Sequence, residues 1–95
     1  MNKVKIKIEF FGTAKLIAKR NHIYLCIEKN IKEKDLVETI ATAIPEFVDT
    51  IIEKNTCELK KSYNFGINGI KNTSKQSFSL KNNDSILIFS SQSGG

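Results

Sequence analysis

The sequence predicts one small α+β domain, a mixed sheet with a single main helix packed across one face. Near both ends the chain alternates apolar and polar residues at a period of two, and its middle carries apolar residues at spacings of three and four. Size points the same way. At 95 residues, 40% hydrophobic and 26% charged, the chain has room for one core and the composition of an ordinary globular domain.

Residues 3–11, KVKIKIEFF, place Val4, Ile6, Ile8 and Phe10 on one face and Lys3, Lys5, Lys7 and Glu9 on the other, the pattern of a half-buried strand. Gly12-Thr13 ends it, and AKLIAK forms a short helical turn at most. Residues 22–28, HIYLCIE, are β-branched and aromatic and predict a second strand, with Ile23, Leu25 and Ile27 on one face. His22 opens this strand. It is the single histidine, and no second ligand or nucleophile stands near it in sequence, so a surface or turn role is expected.

The main helix lies in KEKDLVETIATAIPEF, where Leu36, Val37, Ile40, Ala41 and Ile44 recur at helical spacing. Asp35 or the polar residues before it cap the start, and early acidic side chains suit the helix dipole. Pro45 stops the helix, because it has no amide hydrogen and disfavours helix in the residue before it. Phe47, Val48, Ile51 and Ile52 predict a short helical segment under the sheet, and residues 53–62 a polar loop. In YNFGINGIKN, Asn68-Gly69 is a strong hairpin signal, since both positions tolerate the positive φ of a type I′ turn. Leu80 precedes a KNND turn that Asn82 and Asn83 make possible without glycine, and SILIFS is the last strand.

The order strand, strand, helix, strand pair, strand at this length predicts the β-grasp (ubiquitin-like) fold, with a mixed sheet of four to five strands. The expected division is a folded domain over residues 1–90 and a flexible tail over 91–95 ending in Gly94-Gly95. No apolar run approaches the roughly 20 residues that cross a bilayer, and MNKVKIKIEFFG lacks the apolar stretch of a signal peptide, so no membrane partner and a cytoplasmic location are expected.

Cys26 and Cys57 form neither a CxxC pair nor, with one distant histidine, a zinc site. Cys26, in an apolar run, is expected to be buried as a small hydrophobe, and Cys57, in a polar segment, to be exposed. The net charge of +5 comes almost wholly from scattered lysines, with Arg20 the sole arginine. Scatter of this kind predicts a solvated surface rather than a nucleic-acid patch, and it favours approach to an acidic protein partner.

Several of these segments together resemble the MoaD/ThiS superfamily of sulfur carriers, the MoaD branch in particular, from about Lys3 to Gly95. The run from Phe10 to Ile17 is similar to the family's opening strand and turn, with Lys15 at its basic position. Asp35-Leu36-Val37 with Ile40 and Pro45 resembles its helix and closing proline, and Ile67-Asn68-Gly69 its hairpin. Leu80, Asp84, Ile86, Ile88 and Gly94-Gly95 resemble its last turn, strand and tail. A glycine pair at the end of a chain arises by chance in roughly one sequence in 200, which makes it the most specific of these features. The sequence departs from the family at Ser90-Ser91, where prolines are usual, and at Lys19 and Asn83, where glycines are.

The resemblance implies that Gly95 is the reacting group. A partner enzyme of the MoeB kind uses ATP to turn its carboxylate into an acyl adenylate, and a sulfur donor protein then supplies sulfur for a thiocarboxylate. Gly94 has no Cβ and so lets an extended tail thread a narrow channel. A MoaE-type large subunit of molybdopterin synthase is the implied acceptor. Carriers for thiamine, cysteine or tRNA thiolation, modifiers that attach to lysines, and a plain ubiquitin-like binding domain are the alternatives. The chain has no phosphate-binding glycine loop, metal cluster or nucleophile–base pair, so it is expected to be a protein substrate with no bound cofactor. Leu87 and Phe89, on the strand face opposite Ile86 and Ile88, and Ser93 in the tail are the expected partner-binding residues; alternatively, Leu87 and Phe89 cover a secondary core beneath residues 47–62.

Overall fold

A computed structural model of the chain describes residues 3–56, 58–68, 70–71 and 79–90. The elements in order are β1 (Lys3–Phe10), α1 (Thr13–Ala18), β2 (His22–Glu28), α2 (Glu33–Ala43), a 3₁₀ turn (Pro45–Phe47), β3 (Tyr63–Ile67), β4 (Ile70–Lys71) and β5 (Ser85–Ser90). The five strands form one mixed sheet in the order β2-β1-β5-β3-β4. β1 and β2 pair antiparallel, β1 and β5 parallel, and β3 pairs antiparallel with both β5 and β4. This is the expected β-grasp architecture, with five strands. No helix among the described residues is long and apolar enough to cross a membrane.

The period of two decides which side chains are buried. Ile6, Ile8 and Phe10 of β1 and Ile86 and Ile88 of β5 point into one core with Leu36, Val37, Ile40 and Ile44 of the α2 region. Phe47, Ile51, Ile52 and Leu80 complete it, and the Phe47 ring meets Phe10 edge-on at 5.3 Å.

Several local expectations are corrected. TAKLIA, Thr13–Ala18, forms a six-residue α-helix rather than a bare turn, with Ala14 and Ala18 buried against the core and Lys19 as its C-cap. Of the two expected caps for α2, the N-cap position falls to the polar residues before Asp35, at Lys32 and without a side-chain cap bond, and Asp35 joins Glu33 in the first turn, where both favour the dipole. α2 ends at Ala43, and Ile44 takes φ −132° and ψ 82° ahead of Pro45, as the proline ring demands. Only Pro45–Phe47 is helical in the following apolar cluster. Ile52 instead bridges Val48 and Leu59, so part of the supposed polar loop is clasped to the core.

The turns reveal a second set of constraints. Ile67 pairs with Ile70, and Asn68, between them, has φ 51° as the expected hairpin requires; Gly69 lies outside the described residues. The Asn68 side chain accepts from Ser85 N–H at 2.9 Å and donates to Asp84 Oδ1 at 3.1 Å. Asp84 Oδ2 accepts from Lys81 N–H at 2.9 Å, so one carboxylate ties the hairpin to the turn before β5. Lys19 (φ 60°) and Asn83 (φ 73°), the two positions where the resembled family carries glycine, both adopt left-handed backbone.

Left-handed backbone costs a residue with a Cβ about 1–2 kcal/mol, less for Asn, and glycine escapes that cost but loses more chain entropy on folding. Lys19, exposed at the C-cap of α1, is where the exchange favours glycine. Lys19→Gly is expected to raise stability by about 0.5–1 kcal/mol, measured by urea unfolding.

Candidate functional site

The candidate site lies at the end of the sheet where β5 finishes. Parallel pairing aligns Phe10 with Ile88, so β1 and β5 end together, and Ser90 closes the central strand of the sheet. Gly94, Gly95 and Ser93 lie outside the described residues, as do Cys57 and the rest of residues 91–95.

Leu87 and Phe89 alternate with the fully buried Ile86 and Ile88 and so stand on the face away from α2. Both are half-buried and neither belongs to the core cluster. Residues 47–52 pack on the opposite, helical side with Ile86 and Ile88, so that segment does not cover Leu87 and Phe89. Across the strands Leu87 sits between Glu9 and Gly66, and Phe89 beside Asn64.

Two apolar residues at this end were not predicted as part of it. Phe11 is 65% exposed and Leu16 is 76% exposed, although each is large and hydrophobic. Phe11 follows Phe10 one step beyond its pairing with Ile88 and therefore lies level with Phe89. Leu16 projects from α1 because that helix buries Ala14 and Ala18 instead. Phe11, Leu16, Lys7, Glu9, Lys15 and His22 line a shallow groove beside the sheet end. A signal for Phe11 did exist: two consecutive phenylalanines in an alternating strand cannot both face the core. Gly12, with φ 60° and ψ −128°, then turns the chain into α1 through backbone that side chains avoid.

The groove carries Lys7, Lys15 and His22 beside a single acidic residue, Glu9. Lys7 and Glu9 form an exposed ion pair at 3.9 Å, worth little in water. Among the described residues no group of His, Cys, Asp or Glu could hold a metal. His22 stacks edge-on with Tyr24 at 5.2 Å and is exposed, at the start of β2. Cys26 is exposed, not buried as expected. It alternates with Leu25 and Ile27, which face the core side, so the period of two overrides the apolar character of the run.

No protein-family model matches the chain, and no curated protein matches it by sequence. Solved structures do match in fold. Small archaeal modifier protein 1 (SAMP1) from Methanosarcina acetivorans aligns at 22% identity with a TM-score of 0.78, covering 100% of both chains. SAMP1 from Haloferax volcanii aligns at 16% identity and a TM-score of 0.77, over 96% of this chain and 99% of its own. A Pyrococcus furiosus protein described as a molybdopterin converting factor subunit 1 aligns at 19% identity and a TM-score of 0.67, over 92% and 97%. The structure thus shares the ubiquitin-like β-grasp fold of these proteins.

Since Phe11 and Leu16 contribute little buried area, replacing either with serine should change unfolding free energy by no more than about 0.5 kcal/mol in urea titrations. A larger loss would mean that they serve the fold and not a surface.

Proposed function

We propose that this chain is a ubiquitin-like carrier whose Gly95 carboxylate is activated by another protein and loaded with sulfur. The observation that supports it best is the placement of the glycine pair. Ser91, Gln92 and Ser93 alone separate Gly94-Gly95 from the end of the central strand β5. The SAMP1 structures and the Pyrococcus protein share the β-grasp frame that delivers such a segment.

A free carboxylate does not react with nucleophiles at neutral pH, since it is a stabilised anion with poor leaving groups. In the proposed cycle an adenylating enzyme joins a Gly95 carboxylate oxygen to the α-phosphate of ATP and releases pyrophosphate. A thiolate donor that attacks the carbonyl carbon and expels AMP gives a thioester, whereas a persulfide donor gives an acyl disulfide, whose S–S bond a second thiol then attacks to leave the thiocarboxylate and a new disulfide. Gly94 and Gly95 leave this carbon unshielded. Phe89, Leu87 and the newly found Phe11 and Leu16 supply the apolar contact by which the enzyme recognises the carrier, with Ser93 following into its channel. Lysines around the groove draw the carrier towards an acidic partner.

The proposed destination of the sulfur is molybdopterin, with this chain as the small subunit beside a MoaE-like large subunit in the cytoplasm. A second reading, protein modification through an isopeptide bond to lysine, is favoured by the higher TM-scores of the two modifier structures.

Intact-mass measurement of the protein from its native cell separates the two: an oxygen-to-sulfur exchange marks a carrier, and lysine adducts bearing the tail mark a modifier. Deleting Gly95 is expected to abolish ATP–pyrophosphate exchange with the cognate adenylating enzyme; unchanged exchange refutes the proposal. Phe89→Ala should lower kcat/KM for that activation by about tenfold or more while the circular dichroism spectrum is retained.

A further inference from the structure

β2 occupies one edge of the sheet and pairs with β1 in an unbroken register along all its residues, from Lys3↔Glu28 to Glu9↔His22. The hydrogen-bond phase of this strand follows from its flanks. Phe10 N–H donates to Asn21 C=O at 2.9 Å, whereas Lys7 N–H turns the other way, to Asp84 C=O at 3.0 Å. In an antiparallel ladder these directions alternate, so Ile23, Leu25 and Ile27 spend their main-chain groups on β1. The main-chain groups of His22, Tyr24, Cys26 and Glu28 therefore aim outward, where no strand among the described residues meets them.

Edge strands usually carry a device that prevents pairing: a lysine, a proline, a bulge or a very short length. HIYLCIE contains none of these. Its order is instead self-complementary when reversed about Leu25. Tyr24 then meets Cys26 of a second copy and Cys26 meets its Tyr24, both as hydrogen-bonded pairs, which yields about four bonds at the centre. Leu25 meets Leu25, and Ile23 meets Ile27, on the core side. His22 meets Glu28, placing a basic-type side chain against an acidic one at each end. The Glu28 carbonyl already accepts from Ile31 N–H at 3.2 Å and keeps a second lone pair for this outer pair. Other registers of the same phase lose either the full overlap or the His22–Glu28 match.

We propose that the β2 edge is a self-association surface, at which two copies of this chain pair antiparallel about Leu25 and join their sheets into one. The large exposure of Tyr24, at 56%, then has a reason: its ring is the flank of a seam. A shallow groove lined by Leu25, Glu38, Thr39, Thr42 and Ala43 runs beside this edge. β2 and β1 both stand between the seam and β5, so the seam does not involve the strand that bears Phe89. This inference is independent of the chemistry proposed for Gly95.

Sedimentation velocity of the full chain over a concentration series tests it, with a reversible dimer expected. Cys26→Pro removes an outward N–H yet leaves the β1 ladder intact, and should weaken association by at least about tenfold with an unchanged circular dichroism spectrum. Leu25→Cys, made together with Cys26→Ser and Cys57→Ser, should oxidise to a covalent dimer, since opposed Cα atoms in such a pair lie about 4.5 Å apart. A chain that stays monomeric to about 1 mM overturns the proposal. So does a dimer indifferent to Cys26→Pro, a failure of the Leu25→Cys cross-link, or a monomer that adds an unrelated extended peptide at β2.

Discussion

The parallel pairing of β1 with β5 governs the rest of this structure. It joins the first and last strands of the chain at the middle of the sheet, and Ile6, Ile8, Ile86 and Ile88 are fully buried along it. Parallel neighbours cannot be linked by a tight turn, so everything between them must travel around the sheet and return. That journey places α2 across one face and leaves Leu87 and Phe89 half-buried on the other. It also brings the ends of both strands together, which is why Phe11 and Phe89 share one end of the molecule.

Long-range pairing of this kind has an entropic cost that local turns help to offset. Asn68 and Asp84 are the clearest example, since their side chains bond the β3–β4 hairpin to the turn that launches β5. Asn82 adds a further tie by accepting from Lys5 N–H at 2.9 Å, which holds the start of β5 against β1. The polar turn is therefore a register device for the central pair. Asn83 tolerates its left-handed backbone better than Lys19 does.

Apolar surface is distributed unevenly outside the core. Phe11 and Leu16 stand at the β5 end, and Tyr24 stands at the β2 edge. Such residues cost solubility without adding to the core, and their clustering at two places suits contact with other proteins. Among the described residues, one end of the sheet thus exposes apolar side chains, and one edge exposes backbone that no described strand meets.

Much of this was legible in the residues themselves. Alternation in KVKIKIEF and SILIFS assigned the buried faces of β1 and β5 correctly, and the three-and-four spacing located α2. Asn68 marked its hairpin, and Leu87 and Phe89 were placed on the open face by parity alone. Composition misled where it competed with period: Cys26 looked buried because its neighbours are apolar, yet its position in the alternation turned it outward. The residues after Pro45 looked helical because their spacing allowed it, but Ile52 found a better partner in Leu59 across a clasp. Local pattern specifies which side of an element is apolar, because that depends only on the geometry of one strand or helix. Which strand lies beside which, that β1 and β5 run parallel, that β2 is left at an edge, and that Leu16 ends up exposed beside Phe11 were settled by packing among segments far apart in the chain, where no local period carries the information.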